Sequence, residues 1–267
     1  MWLGVGSAVI LVLLITFVYV NSLVLEHLGE RLLNALDLGE HAVGVDARGG
    51  RLPAKALTEA ESVKSVDCII ATCNNDDEIE ETKALVRQVY GQDVRFFVYE
   101  KCQEAPMARE GQEKTFLRNT GREQHTYTLH IQNHYDDLAE ILIFTPSNIN
   151  SRKTRYDLLR NRVTGDAQCI RGKEFKTLHN FTHPNYQGRP LDRATPVGIE
   201  TWARAHLGRY PAPSTRECKH GTFVTTRELV QRHTRHMFSR LTEELDRAEP
   251  EAGHYMERLV AVLYEVE

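Results

Sequence analysis

The sequence predicts a layered α/β domain with a mostly parallel central sheet and helices on both faces. Three observations predict it. Between Val66 and Phe144 the patterns run strand, helix, strand, loop, helix, strand. The strand segments are near-continuous apolar runs rather than alternating ones, as strands covered on both faces require. The first strand also ends in a polar cluster, Cys73-Asn74-Asn75-Asp76-Asp77. In such sheets crossovers are right-handed and ligands bind at the carboxyl ends of the strands.

The elements follow in order. Val66 to Thr72 is β-rich, and Asp76 or Asp77 can cap a helix on which Ile79, Thr82, Leu85, Val86 and Val89 recur at helical spacing. Gly91 ends that helix, and Val94 to Tyr99 is the next strand. After a polar loop, Asn119-Thr120-Gly121-Arg122-Glu123 opens a helical pattern closed by Asp136-Asp137, and Ile141 to Phe144 reads as a buried strand. Thr145-Pro146-Ser147-Asn148 breaks that strand, and a helix is expected around Tyr156 to Arg162. Residues 165 to 215 are divided by prolines and glycines into an irregular region suited to substrate contacts. Gly221 to Thr225 reads as a short strand, and one capped helix is expected from there through Leu241. A last helix starts near Pro250-Glu251, with Tyr255, Leu259, Val262 and Leu263 on one stripe.

The chain has 267 residues and a net charge of −4, so nothing argues for a nucleic-acid surface. Trp2 to Val20 carries no charge, and its length approaches a bilayer span of about 20 residues. Residues 1–25 are read as a transmembrane signal anchor, with a cleaved signal and a buried helix as alternatives. Residues 26–62 read as a stalk and 63–267 as the folded domain. The basic residues all follow the apolar run, and this bias taken literally would place the domain in the cytosol. The five cysteines lack paired metal spacing. In a lumenal protein they allow two disulfides and one free thiol, and Cys68, inside a predicted core strand, reads as a small buried hydrophobe.

Several clusters could carry chemistry. Asn74, Asn75, Asp76 and Asp77 suit either a base or ribose contact or an ordinary Asx turn. Gly121 permits close backbone approach, Arg122 offers a fork for phosphate, and His125 stands beside them at a helix start that favours anions. The competing reading is a capping box of Thr120 with Glu123. His130 and His134 share a helix face, but no Glu stands second after His130, so they read as packed or surface side chains. Asp136-Asp137 precede the strand, where an aspartate pair holding a cation for a diphosphate should follow it. Glu251 suits the start of its helix, and His254, Glu257 and Arg258 project from one side of it, which allows an acid or base beside a cation.

The first strand with Asn74 and Asp76, NTGREQHTYTLHIQNHYDDLAEILIF, GTFVTTREL and EAGHYMERLVAVLY together resemble a eukaryotic family of glycosyltransferase-like proteins catalogued as a domain of unknown function. The match covers roughly Val66 to Tyr264. The Asn-x-Gly-Arg-acid block is also similar to bacterial rhamnan-type glycosyltransferases. The resemblance implies a GT-A-like three-layer domain behind an N-terminal membrane helix, in the endoplasmic reticulum or Golgi with a lumenal body. It implies transfer from a nucleotide-sugar donor to a glycan or other hydroxyl acceptor. Asn74, Asp76, Asn119, Gly121, Arg122, Glu123 and His125 would then hold the donor, and Thr222 and Phe223 would border the acceptor. Glu251 or Glu257, with His254 beside them, would supply the base. Because Pro146-Ser147-Asn148 stands where metal-dependent members of the wider fold carry aspartates, no metal ligand is assigned and a divalent cation is not expected. The alternative is a non-catalytic glycan- or nucleotide-binding protein of the same fold.

Overall fold

Val66, Ile69, Ile70 and Thr72, β-branched residues with small Cys68 and Ala71 among them, make Val66–Thr72 (β1) a central strand, buried at every position. The computed structural model describes residues 64–73, 75–102, 114–149, 153–161, 166–178 and 180–265. Asp76–Tyr90 (α1) follows, capped by Asn75, whose side chain accepts the Glu78 N–H. Asn75 takes this role from the expected Asp76 or Asp77 because its own backbone is non-helical, with φ −135° and ψ 81°, while both aspartates are already helical. Val94–Glu100 (β2), Lys114–Phe116 (β3), Arg122–His134 (α2) and Ile141–Pro146 (β4) complete the parallel half.

Beyond β4 come Lys153–Arg160 (α3), Gln168–Glu174 (β5), the hairpin Asn185–Tyr186 (β6) with Arg189–Pro190 (β7), Ile199–Leu207 (α4) and Arg216–Thr226 (β8). Arg227–Gln231 (α5), Arg235–Leu245 (α6) and Glu251–Leu263 (α7) close the described chain. The single helix expected from Thr226 through Leu241 is divided, because Thr234 is extended and its hydroxyl caps a new start at the Met237 N–H.

The main sheet has the order β3-β2-β1-β4-β8-β5. β3, β2, β1 and β4 are parallel neighbours, whereas β8 runs antiparallel to both β4 and β5. The β5–β8 pairing carries register shifts at Cys169/Ile170 and Arg171/Glu174. On one face α1 and α3 bury Ile79, Val86 and Leu159 against Cys68, Ile70 and Ile143. On the other, α2, α4, α6 and α7 bury Tyr127, Trp202, Phe238 and Tyr255 against Ile69, Leu142, Phe144 and Phe223. At the amino-terminal end of the sheet, Asp67 is fully buried and paired with Arg95 at 2.7 Å, and it also accepts the Ala139 N–H.

One expectation requires correction. The architecture is α/β with a mostly parallel sheet, but no helix among the described residues is long and apolar enough to cross a membrane. The expected span at 1–25 and the stalk at 26–62 lie outside the described residues. The fold assigned to the described residues is therefore the α/β layers.

Candidate functional site at the switch point of the sheet

In the sheet order β2 and β3 lie to one side of β1 and β4 lies to the other. The connections leaving β1 and β4 therefore diverge, and a crevice opens at the carboxyl ends of the strands. A cleft of about 410 Å³ occupies this place. That volume lies within the range of small-molecule sites, roughly 300–1,000 Å³. Its walls are Ala71, Thr72 and Cys73 from β1, Asn75 and Glu78 from α1, Lys101 beyond β2, Asn119, Arg122 and Glu123 at the start of α2, and Pro146, Ser147 and Asn148 beyond β4.

The Asn119–Glu123 wall is an uncommon piece of backbone. Gly121 and Arg122 are both left-handed, with φ of 63° and 54°. Gly121 is required at its position, since a Cβ there would collide with the Leu245 carbonyl oxygen. An arginine in that region is strained, and the surroundings must hold it. They do so from behind: the Lys101 ammonium, itself buried, donates to the carbonyl oxygens of Thr120 and Arg122. The Gly121 N–H is tied to the Arg247 carbonyl at 2.8 Å. Burial pulls the Lys101 ammonium down to about 8, against the opposing pull of Glu123 and Asp246. Thr120 bonds Asp246 at 3.0 Å and Gly121 is the helix cap, so the capping-box reading does not hold.

The Arg122 guanidinium lies over the Tyr186 ring at 4.7 Å, donates to His254 Nε2 at 3.2 Å and stands 3.6 Å from Glu123. Burial disfavours its charge, but the Glu123 and Glu257 carboxylates prevail and raise its pKa. His254 accepts from Arg122, which requires neutral imidazole; burial and the Arg122 charge hold its pKa down at about 3. Glu257 stands behind Glu123 and accepts the His220 N–H at 2.5 Å. Burial and the Glu123 charge raise the Glu257 pKa. The bend that brings His220 there is a left-handed pair inside β8, His220 at φ 67° and Gly221 at φ 63°. A Cβ on Gly221 would run into the Glu123 carboxylate at 2.6 Å.

Asn119, Arg122 and Glu123 thus meet on the cleft wall, with Gly121 shaping it and Glu257 and His254 just behind. His125 lies beneath the loop, buried, with Asp246 4.0 Å away, and burial together with the Lys101 charge lowers its pKa to about 4. Other expected residues lie elsewhere. Asp76 is exposed and pairs with Lys114, away from the wall. Thr222 is buried and bonds Thr145 Oγ1 at 3.3 Å, and Phe223 stacks on Phe144 at 4.7 Å within the core. Glu251 is fully buried and engaged by the N–H groups of His183 and Ala194, the Tyr255 hydroxyl and Arg193. Burial opposes its charge, but these donors keep its pKa below the usual carboxylate value. Asn74 lies outside the described residues.

Sequence reasoning passed over Thr72, Glu78, Lys101 and Ser147. Lys101 had a signal: a lone cation placed directly after an apolar strand, at the end where ligands bind. His130 bonds Tyr99 at 2.9 Å and stacks on His134, a packed pair as expected. Asp136 and Asp137 pair with Arg235 and Arg95 at the surface. The cysteines form Cys73–Cys102 and Cys169–Cys218, with Cys68 free and buried. Compared with known protein families and with curated proteins, the chain finds no match.

Proposed function

We propose that the chain binds a nucleotide-diphosphate sugar in the switch-point cleft and transfers the sugar to a hydroxyl acceptor. One observation carries the reading: Lys101, Arg122 and the amide-rich start of a 13-residue helix line one cleft at the carboxyl ends of β1 and β4. Polar Thr72, Asn75 and Glu78 offer hydrogen bonds to a base and ribose across from these cations. The motif resemblance to glycosyltransferase-like proteins supports the same class.

In this reaction the acceptor oxygen bonds to the anomeric carbon as the bond from that carbon to the diphosphate oxygen breaks. The electron pair leaves with the diphosphate, and Arg122 and Lys101 balance its charge. Glu123 is the carboxylate on the wall next to Arg122 and takes the acceptor's proton. Glu251, with its four donors, is not a base in this scheme. Two disulfides and the exposed sequon at Asn180 support a secretory, oxidising compartment.

The test is calorimetric titration of the purified protein with a panel of nucleotide sugars, in EDTA and in manganese, followed by a hydrolysis assay. Saturable binding of one donor, lost in Arg122→Ala, with turnover lost in Glu123→Gln, is the expected result. Binding without turnover would make the chain a nucleotide-binding module. Absence of binding by folded protein would overturn the reading.

A further inference from the structure

β1 and β2 run parallel in register, Thr72 opposite Glu100. The residues that follow converge, bringing Cys73 and Cys102 to a Cα separation of 4.9 Å in a disulfide at the cleft mouth. Cys73 and Asn119 both line the cleft, and Asn119 donates to Cys102 Sγ at 3.5 Å. Beneath them lies the Glu100 carboxylate, wholly buried, with the Cys102 N–H bonded to one oxygen. The two sulfurs and a Glu100 oxygen all lie within 4.8 Å of one another, and no other group of three His, Cys, Asp or Glu ligands among the described residues comes together in this way.

A zinc-type ion with sulfur ligands at about 2.3 Å in tetrahedral geometry needs its sulfurs roughly 3.8 Å apart. Once the S–S bond is broken, rotation of the two cysteine side chains about fixed Cα atoms 4.9 Å apart sets the sulfur separation. Two thiolates and one carboxylate supply three of the four ligands of a tetrahedral ion.

We propose that reduction of Cys73–Cys102 converts this corner of the cleft into a site for a thiophilic divalent cation, held by both thiolates and the Glu100 carboxylate. The bridge and the metal site are alternative states of the same sulfurs. In the first step a phosphine attacks one sulfur, the S–S bond breaks, and water supplies the oxygen of the phosphine oxide and the protons of two thiols. In the second the cation replaces both thiol protons, releasing about two protons per metal. Cys68 takes no part, because burial in the apolar core raises its thiol pKa and keeps it protonated.

The experiment uses the full chain, reduced with a phosphine, freed of it and titrated with Cd²⁺. Ultraviolet thiolate-to-cadmium charge transfer and proton release are the readouts, and no nucleotide sugar is needed. Failure here therefore leaves the glycosyl-transfer reading standing, and failure of that reading leaves this one. One saturable cadmium per chain is expected in the reduced protein and in the C169S/C218S double variant, and none in the oxidised protein. C73S and C102S should weaken binding on the order of 100-fold, the upper end of losses seen when even outer-shell partners are removed. E100Q keeps both sulfurs and the disulfide, and should bind about tenfold more weakly with the charge-transfer band retained; it keeps the test decisive should the serine variants not fold. A band that persists in C102S, vanishes in C169S/C218S, or never appears in the reduced wild-type protein overturns the proposal.

Discussion

Glutamates in the first turns of two helices, α2 and α7, make an instructive pair. Glu123 opens α2 and Glu251 opens α7, and from sequence both were candidates for chemistry. Their surroundings separate them. Glu251 lies in the core, where two backbone N–H groups, a tyrosine hydroxyl and an arginine occupy it, fastening the 183–194 segment to α7. Glu123 stands on the cleft wall, against an arginine that is itself strained. The same residue type in the first turn of a helix, second in α2 and first in α7, is a fastening in one place and an available group in the other. What differs is the number of donors within reach.

The comparison is sharpest if the two carboxylates are removed in turn. Glu251→Ala leaves the buried His183 and Ala194 N–H groups and the Tyr255 hydroxyl without their acceptor and should destabilise the fold by about 1–3 kcal/mol for each donor left unsatisfied. The readout is the denaturant midpoint. Glu123→Gln should move that midpoint little while abolishing turnover; equal destabilisation by both substitutions would erase the distinction.

A smaller effect is expected at the bend that supports Glu123. Gly221→Ala places a Cβ on a left-handed residue and against the carboxylate, and should destabilise the protein by about 2 kcal/mol by thermal or chemical melting. A neutral outcome would mean that β8 can flatten there without disturbing Glu123.

The pH dependence tests the buried histidines around the two helices. His125, His130 and His254 are held by burial at about 4, 3 and 3, below the ordinary 6.5. The unfolded chain therefore binds protons that the folded chain refuses, and stability falls as pH drops from about 6.5 toward 4. Each histidine contributes on the order of 1 kcal/mol per pH unit within that window. His254→Asn should flatten the slope of midpoint against pH by one such share, and an unchanged slope would show that His254 is protonated beside Arg122.

The smallest expected change in stability accompanies a large functional one. Arg122→Gly relieves a left-handed non-glycine residue, a gain of about 1–2 kcal/mol that offsets its lost contacts. Stability should stay within about 1 kcal/mol, while donor affinity falls roughly 10- to 100-fold with the loss of a charged hydrogen-bond partner. Calorimetry on the same sample reads both quantities.

β1, β2 and β4 were legible because they are largely apolar runs ended by polar clusters, as in Ile141 to Phe144 before Thr145-Pro146-Ser147. The place of the cleft followed from that order of elements. β3, which lies in the expected polar loop, β5 and α4 were not read. Gln168–Glu174 carries no apolar run and gains its place by pairing with β8 and through the Cys169–Cys218 bridge. α4 is short, and its Trp202 becomes core only against Tyr255 of a helix far along the chain. Among site residues, Arg122 and Glu123 were legible from their motif. The burial of Glu251, Thr222 and Phe223 was not, because each is covered by residues distant in sequence.

The two borders of the sheet carry a consequence for how the protein behaves in a crowded solution. On one side the outermost strand, β3, is only three residues long. On the other, β5 carries Arg171, Lys173 and Glu174 and twice loses register with its neighbour. A short border and a charged, irregular one both give an approaching strand a poor template for continuing the hydrogen-bond ladder. Copies of this domain are thereby kept from adding to one another edge to edge, and the protein should remain dispersed at concentrations where a long, flat border would seed fibres.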